Sequence, residues 1–306
     1  MKNATPGRPP LTPRYWPSWL AVGLLWLLGK TPQIVALALS RPLGWIMLRS
    51  THRRRHVAER NVERCFPELT RDQRADLVRD SFQALGRMLF EMAWSWSASD
   101  RFLRRVSDIQ GLTFLRKAAS TGRGVLLITA HFTCLDIGAH MTALAFGGAG
   151  GIYRPLRNPV LEWYQNRSRS KWTDCMFRKD DLRSAVRYLK NGGVLWYAPD
   201  QDFGPERSVF LSFFGIPTAT LTVTERLVRL TGCLVVPMFP MYDKRTRRYR
   251  VTLWPPLERF PTGDAWQDLA RINEVLEDQV RLAPEQYWWI HRRFKTRPPG
   301  EPPFYD

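Results

Sequence analysis

Between residues 108 and 297, short apolar runs of strand length alternate with longer segments of helical periodicity, and this alternation restricts the chain to an α/β architecture. The expected strands are 125–130, 194–198, 234–239 and 249–254, and the expected helices are 134–146, 159–172, 181–190, 220–230 and 266–282. The helix at 181–190 is well punctuated: Leu182, Ala185, Val186 and Leu189 recur on one face, and Asn191-Gly192-Gly193 supplies a stop. The expectation is a central mixed sheet flanked by helices. Residues 51–107 precede it as a basic helical segment, with Thr70 opening a helix whose apolar face includes Leu77, Phe82, Leu85 and Leu89. Residues 298–306 read as a short tail.

Residues 1–50 have a different texture. Four of the 13 tryptophans (Trp16, Trp19, Trp26 and Trp45) gather there, among apolar runs at 19–28, 34–39 and 43–48 broken by Lys30, Pro32, Arg41 and Pro42. Neither of the first two runs reaches the roughly 20 apolar residues of a comfortable membrane span. A bent or re-entrant membrane anchor fits, as does a single tilted span that tolerates Lys30, and the alternative is a buried helical hairpin. The cluster His52-Arg53-Arg54-Arg55-His56 follows at once, which would put that end on the cytoplasmic face against anionic headgroups. A cleaved signal peptide fits less well, because the hydrophobic run starts late and Gly29-Lys30-Thr31 does not look like a cleavage site.

Charge narrows the partners. Forty-six basic against 28 acidic residues leave a net charge of +18, which calls for an anionic partner: nucleic acid, an acidic membrane, or an acidic substrate or carrier. No nucleic-acid-binding module is recognisable, and such a partner would leave the apolar N-terminal section unexplained. The four cysteines (Cys65, Cys134, Cys175 and Cys233) are scattered with no metal-ligand spacing, so neither a zinc site nor a disulfide framework is indicated. Cys134, beside a histidine, reads as a small apolar residue rather than a nucleophile.

The chemistry concentrates in segment 124–136. His131 falls at the seam where an apolar strand gives way to a helix, and Asp136 follows five residues later. On one regular helix that spacing is poor, since facing neighbours are three or four apart. With His131 on the incoming turn and Asp136 in the first helical turn, the carboxylate could hold one ring nitrogen and leave the other as a base. A turn histidine bonded to backbone is the ordinary alternative. Downstream, Arg154 follows a short strand in Ile152-Tyr153-Arg154-Pro155, a position suited to bidentate capture of phosphate, with a surface ion pair as its alternative. Asp200 and Asp202 lie in a loop after another apolar strand, where ligand crevices open in α/β sheets and where ordinary turns also occur.

Taken together, these segments resemble the late acyltransferases of lipid A biosynthesis, of lauroyl or myristoyl type, within the wider glycerolipid acyltransferase superfamily. The resemblance covers nearly the whole chain. It rests on His131 and Asp136 with Pro13-Arg14-Tyr15-Trp16, Arg60-Asn61, Phe66-Pro67-Glu68, Tyr153-Arg154-Pro155, Arg178-Lys179-Asp180, Trp196-Tyr197-Ala198-Pro199-Asp200, Gly204-Pro205, Pro284-Glu285-Gln286-Tyr287 and His291-Arg292-Arg293-Phe294-Lys295-Thr296-Arg297-Pro298. Gln201 stands where the family often carries histidine.

The resemblance implies a glycerolipid-acyltransferase-like α/β domain over 108–297, with an N-terminal membrane anchor, on the cytoplasmic side of a bacterial inner membrane. It implies secondary O-acylation of a phosphorylated lipid A precursor (lipid IVA, with or without its Kdo sugars) by acyl carrier protein thioester. His131 would be the base and Asp136 its orienting acid. Arg154, Arg178 and Lys179 would contact substrate, Asp200 would shape the site or contact a sugar hydroxyl of the substrate, and Arg178 and Lys179 could alternatively meet the carrier protein. Neither cofactor nor metal is called for. Partners would be acyl carrier protein, the lipid A precursor and anionic membrane lipids, and not nucleic acid; the nearest rival is an acyltransferase acting on a glycerophospholipid or glycosylated phospholipid.

Overall fold

The computed structural model describes residues 7–306, so the first six residues of the expected anchor lie outside the described residues. Six helices and one strand come first: α1 (Trp16–Leu28), α2 (Gln33–Ser50), α3 (His52–Cys65), α4 (Arg71–Ser97), α5 (Asp100–Val106), β1 (Ser107–Gln110) and α6 (Leu112–Ala119). The alternating region follows as β2 (Val125–Ile128), α7 (Leu135–Phe146), β3 (Gly150–Tyr153), α8 (Pro159–Arg169), β4 (Met176–Arg178), α9 (Leu182–Lys190) and β5 (Val194–Tyr197). Next come β6 (Ser208–Phe213), β7 (Ile216–Leu221), α10 (Val223–Thr231), β8 (Leu234–Asp243), β9 (Arg248–Leu253) and α11 (Ala265–Leu282).

The α/β alternation produces a seven-stranded mixed sheet in the order β1-β9-β8-β2-β5-β3-β4. From β8 to β4 neighbouring strands are parallel, whereas β8 and β9 are antiparallel. The fully buried β2, with Val125, Leu126, Leu127 and Ile128 all inaccessible, forms the middle of the core. Chain direction sorts the helices. Crossovers from β2 to β3 and from β3 to β4 run one way along the sheet, and those from β4 to β5 and from β5 to β8 run back. Right-handed connection therefore puts α7 and α8 on one face and α9 and α10 on the other. The packing agrees: α7 and α8 lie against α4, while α9 lies against α10 and α10 against α11.

Two elements differ from the sequence reading. The helix expected to begin at 220 begins at Val223, because residues 216–221 pair with 208–213 in a separate antiparallel hairpin. The tail also folds back: Phe304 and Tyr305 are buried, and the Tyr305 hydroxyl donates to Asn61 Oδ1 at 2.6 Å and accepts from Phe294 N at 3.1 Å.

At the N-terminal end, no helix among the described residues is long and apolar enough to cross a membrane. The two runs become the separate helices α1 and α2, divided by a turn at Gly29 to Pro32. α2 lies along α4 with almost no side chain between the two backbones. A Cβ on Gly86 would come within 2.3 Å of Ser40 O, and one on Gly44 within 2.5 Å of Phe82 O, so neither position tolerates a larger residue without displacing backbone. α4 is long enough to serve as the platform, and Thr70 and Gln73 close its start with a reciprocal capping box. Away from α4, α1 and α2 expose apolar side chains: Leu20, Leu24, Leu27, Ile34, Leu39, Trp45 and Ile46.

His140 fastens α7 to α4. Its Nδ1 lies 2.9 Å from the Ser95 carbonyl, and its ring stacks on Trp172 at 4.5 Å between centroids. Burial drives its pKa from 6.5 down to about 4, against the weaker upward pulls of the Ser95 carbonyl and Asp100. The unfolded chain therefore takes up this proton first as the pH falls, and stability drops between pH 6.5 and 4. Wild type is expected to lose about 3 kcal/mol over that interval from this group. In urea melts at the two pH values His140→Gln should remove that part of the slope; an unchanged slope would refute the assignment.

Candidate active site

β2 and β5 are parallel neighbours with Ile128 opposite Tyr197, and one more ladder bond, Thr129 N to Tyr197 O at 3.1 Å, carries the pairing past the strand ends. Beyond that point the chains part to opposite faces, α7 following one and the β6–β7 hairpin and α10 the other. This is a topological switch point, where an α/β sheet opens a crevice. His131 and Asp200 stand there side by side, each three residues past its strand.

The two are joined twice. His131 Nδ1 is 2.5 Å from Asp200 Oδ1, and the His131 backbone N–H donates to Oδ2 at 2.9 Å. A carboxylate in this position makes Nδ1 the protonated nitrogen and leaves the Nε2 lone pair available. The Asp200 side chain is 2% exposed and that of His131 27%, so the acid is sealed beneath a ring that reaches the surface. Burial pushes the Asp200 carboxyl up, but the His131 charge, the two bonds from His131 and the nearby Arg293 together outweigh it and hold the pKa at about 2.

Asp136 is elsewhere. It lies in the first turn of α7 as expected, yet its Oδ1 accepts from Arg169 Nη2 at 2.6 Å. The intervening turn is pinned to the C-terminal segment: Phe132 bridges to Tyr287, Thr133 N donates to Gln286 O at 2.8 Å, and Trp288 N donates to His131 O at 3.0 Å. Asp200 occupies both His131 donors, and Asp136 is satisfied by a guanidinium at the end of α8. The structure thus brings Asp200 to His131, where Asp136 was expected, and places Asp136 against Arg169.

His131 opens on a cavity of about 470 Å³ whose walls include Arg154, Lys179, Trp196, Gln201, Phe203 and Arg207. Arg154 and Lys179 thus face the same space as the imidazole. Arg178 is not among its lining residues and pairs with Asp180 at 3.4 Å on the surface. Three cations and one carboxylate, Asp180, border the cavity, which suits an anionic substrate. Asp202 holds the C-terminal segment in place, accepting from Thr296 N and Oγ1, both at 2.9 Å.

Sequence reasoning missed Arg169 and Arg293. Arg169 is one of many basic residues at helix ends and carries no local signal. Arg293 is 3% exposed and donates to Ala219 O at 2.7 Å; it belongs to the quoted 291–298 motif, where burial of an arginine would have been the clue. All four cysteines are buried and unpaired, and burial holds the Cys134 thiol far above its ordinary range, which disfavours a thiolate nucleophile. Among the described residues no group of His, Cys, Asp and Glu side chains could hold a metal ion.

Residues 8–296 match the family model described as bacterial lipid A biosynthesis acyltransferase. The chain is 38% identical to the lipid A biosynthesis lauroyltransferase of Escherichia coli K12 over 296 residues, covering 96% of each protein. It is 36% identical to the palmitoleoyltransferase of the same organism, again over 96% of each, and 30% identical to its myristoyltransferase over 94% of this chain and 90% of that one. Among solved structures it is similar to the 1-acyl-sn-glycerophosphate acyltransferase of Thermotoga maritima, with 14% identity and a TM-score of 0.37 over 83% of this chain and 98% of that one. The protein is an acyltransferase. It belongs to the bacterial lipid A biosynthesis acyltransferase family.

Proposed function

We propose that this enzyme moves an acyl chain from the thioester of acyl carrier protein onto a hydroxyl of a phosphorylated lipid A precursor. The observation that carries the reading is an imidazole at a cationic cavity with Nδ1 held by a buried carboxylate and, among the described residues, Nε2 without a hydrogen-bond partner. An alcohol is a poor nucleophile at neutral pH, so Nε2 takes its proton as the oxygen attacks the thioester carbonyl. Asp200 keeps the ring in the required tautomer and stabilises the imidazolium that forms. The proton then passes from Nε2 to the departing thiolate, and no acyl-enzyme is needed. Asp136 acts from a distance in this scheme: its pair with Arg169 ties the first turn of α7 to α8 and so positions the 131–136 turn.

Arg154 and Lys179 bind phosphate of the acceptor, Arg154 as a planar fork and Lys179 as a point charge. The exposed apolar side of α1 and α2 rests in a membrane interface, with the basic 52–56 cluster against anionic headgroups, on the cytoplasmic side of the bacterial inner membrane. α1 packs on α8, directly after the Arg154 loop, and Asn158 Nδ2 donates to Ser18 Oγ at 2.7 Å, so the hairpin borders the acceptor end of the site.

The test is mass spectrometry of a purified phosphorylated lipid A precursor incubated with enzyme and acyl carrier protein thioesters. One added acyl chain is expected. Arg154→Ala should raise the KM for the acceptor by about 10-fold to 100-fold, the worth of a lost charged hydrogen bond. An acceptor left unmodified by folded enzyme would reject the reading.

A further inference from the structure

The face of the sheet opposite the N-terminal hairpin carries a second cavity, of about 630 Å³, between α9 and α10. Leu182, Val186, Val223, Leu227 and Leu230 supply its apolar surface, and Arg183 and Arg226 stand on its rim. Asp180, Leu182 and Val223 also line the cavity that holds His131, so the two spaces share a wall. A surface leucine is ordinary by itself, but Leu230 is 42% exposed at the edge of an apolar groove that leads to a reaction centre.

The charge around the groove is one-sided. α9 carries Arg183, Arg187 and Lys190 and no acid, and α10 carries Arg226 and Arg229 against Glu225 alone. Glu225 is neutralised by Arg229 at 2.9 Å, Asp180 by Arg178 at 3.4 Å, and Asp181 is spent as the cap of α9. Among the described residues Arg183 and Arg226 have no ion pair.

We propose that the α9–α10 groove is the docking surface for the acyl donor, a small acidic protein that presents its thioester on a flexible arm. This rests on the reading of the donor given above and adds where it binds. The apolar floor takes aliphatic side chains of a carrier helix, the arginine rim meets its acidic residues, and the shared wall lets the arm reach His131. The lipid acceptor comes from the α1–α8 side of the sheet, so the two substrates approach from opposite faces and do not compete for one entrance.

The experiment compares two donors carrying the same acyl group, acyl carrier protein and pantetheine alone, with wild type and with Arg183→Glu/Arg226→Glu. For the carrier donor the variant should raise KM by about tenfold or more, because like charges now meet at the rim. With acyl-pantetheine its kcat/KM should stay within about twofold of wild type. Wild-type KM for the carrier should climb with salt, and Arg183→Lys/Arg226→Lys should keep the wild-type value. Equal losses with both donors, or no change with either, overturn the groove assignment while leaving the donor reading standing. Wild type that uses acyl-pantetheine but not the carrier refutes the donor reading, and the groove assignment falls with it.

Discussion

His131→Ala is expected to lower kcat for acyl transfer by about 10²-fold to 10⁴-fold, with little change in the KM for either substrate. The imidazole removes a proton in the transition state and contributes little to ground-state binding, so the loss belongs to kcat. The backbone bonds of the turn do not depend on the ring, but the buried Asp200 carboxylate loses its partner, so a lower melting temperature should accompany the loss of kcat and folded protein must be used for the assay. Asp200→Asn should act in the same direction through a different route. The amide keeps the shape but brings a donor where an acceptor stood, which disfavours the Nδ1–H tautomer and leaves the imidazolium uncompensated. Single-turnover mass spectrometry separates this from slow product release. Retention of more than about a tenth of wild-type kcat by His131→Ala would show that another group is the base.

Glu91→Ala is expected to cost about 3–5 kcal/mol of stability. In α4, Arg87 Nε donates to Glu91 Oε1 at 2.7 Å, with side chains 7% and 1% exposed, and the guanidinium lies over the Tyr242 ring at 4.2 Å. Removing the carboxylate leaves a buried cation with no other ion-pair partner among the described residues. The pair itself need not be stabilising, since taking two charges out of water costs about what their attraction returns. The double change Arg87→Met/Glu91→Leu should therefore recover most of the single-variant loss. Urea denaturation of the three proteins decides it: a single-variant cost below about 1 kcal/mol would mean that water reaches Arg87 when Glu91 is gone.

The sequence is legible where one segment carries its own signal. β2, β5 and β8 are apolar runs whose character is fixed by burial, and the stop after Lys190 is written in Asn191-Gly192-Gly193. The β6–β7 hairpin is harder, because its turn residues are Phe214 and Gly215, with φ of 53° and 72°. A two-residue turn with both φ positive is announced by Asn-Gly or Asp-Gly, and a phenylalanine hides it. The His131 partner illustrates a deeper limit. Asp136 is near in sequence and Asp200 is 69 residues away, but the order of the strands brings β5 beside β2. Which strands are neighbours is a property of the whole sheet, and no local spacing encodes it. How the N-terminal apolar runs divide is illegible for a related reason: the apolar content of α2 is shared between α4 and the exterior, a division that only packing reveals.

The pinning of the 131–133 turn by Gln286, Tyr287 and Trp288 bears on when this enzyme becomes active. A growing chain can lay down β2, β5 and both members of the His131–Asp200 pair while the residues that brace the turn are still unmade. The reaction centre is finished by residues that follow α11, more distant along the chain than either member of the pair. The His131 turn therefore takes its final shape only once those residues have folded against it.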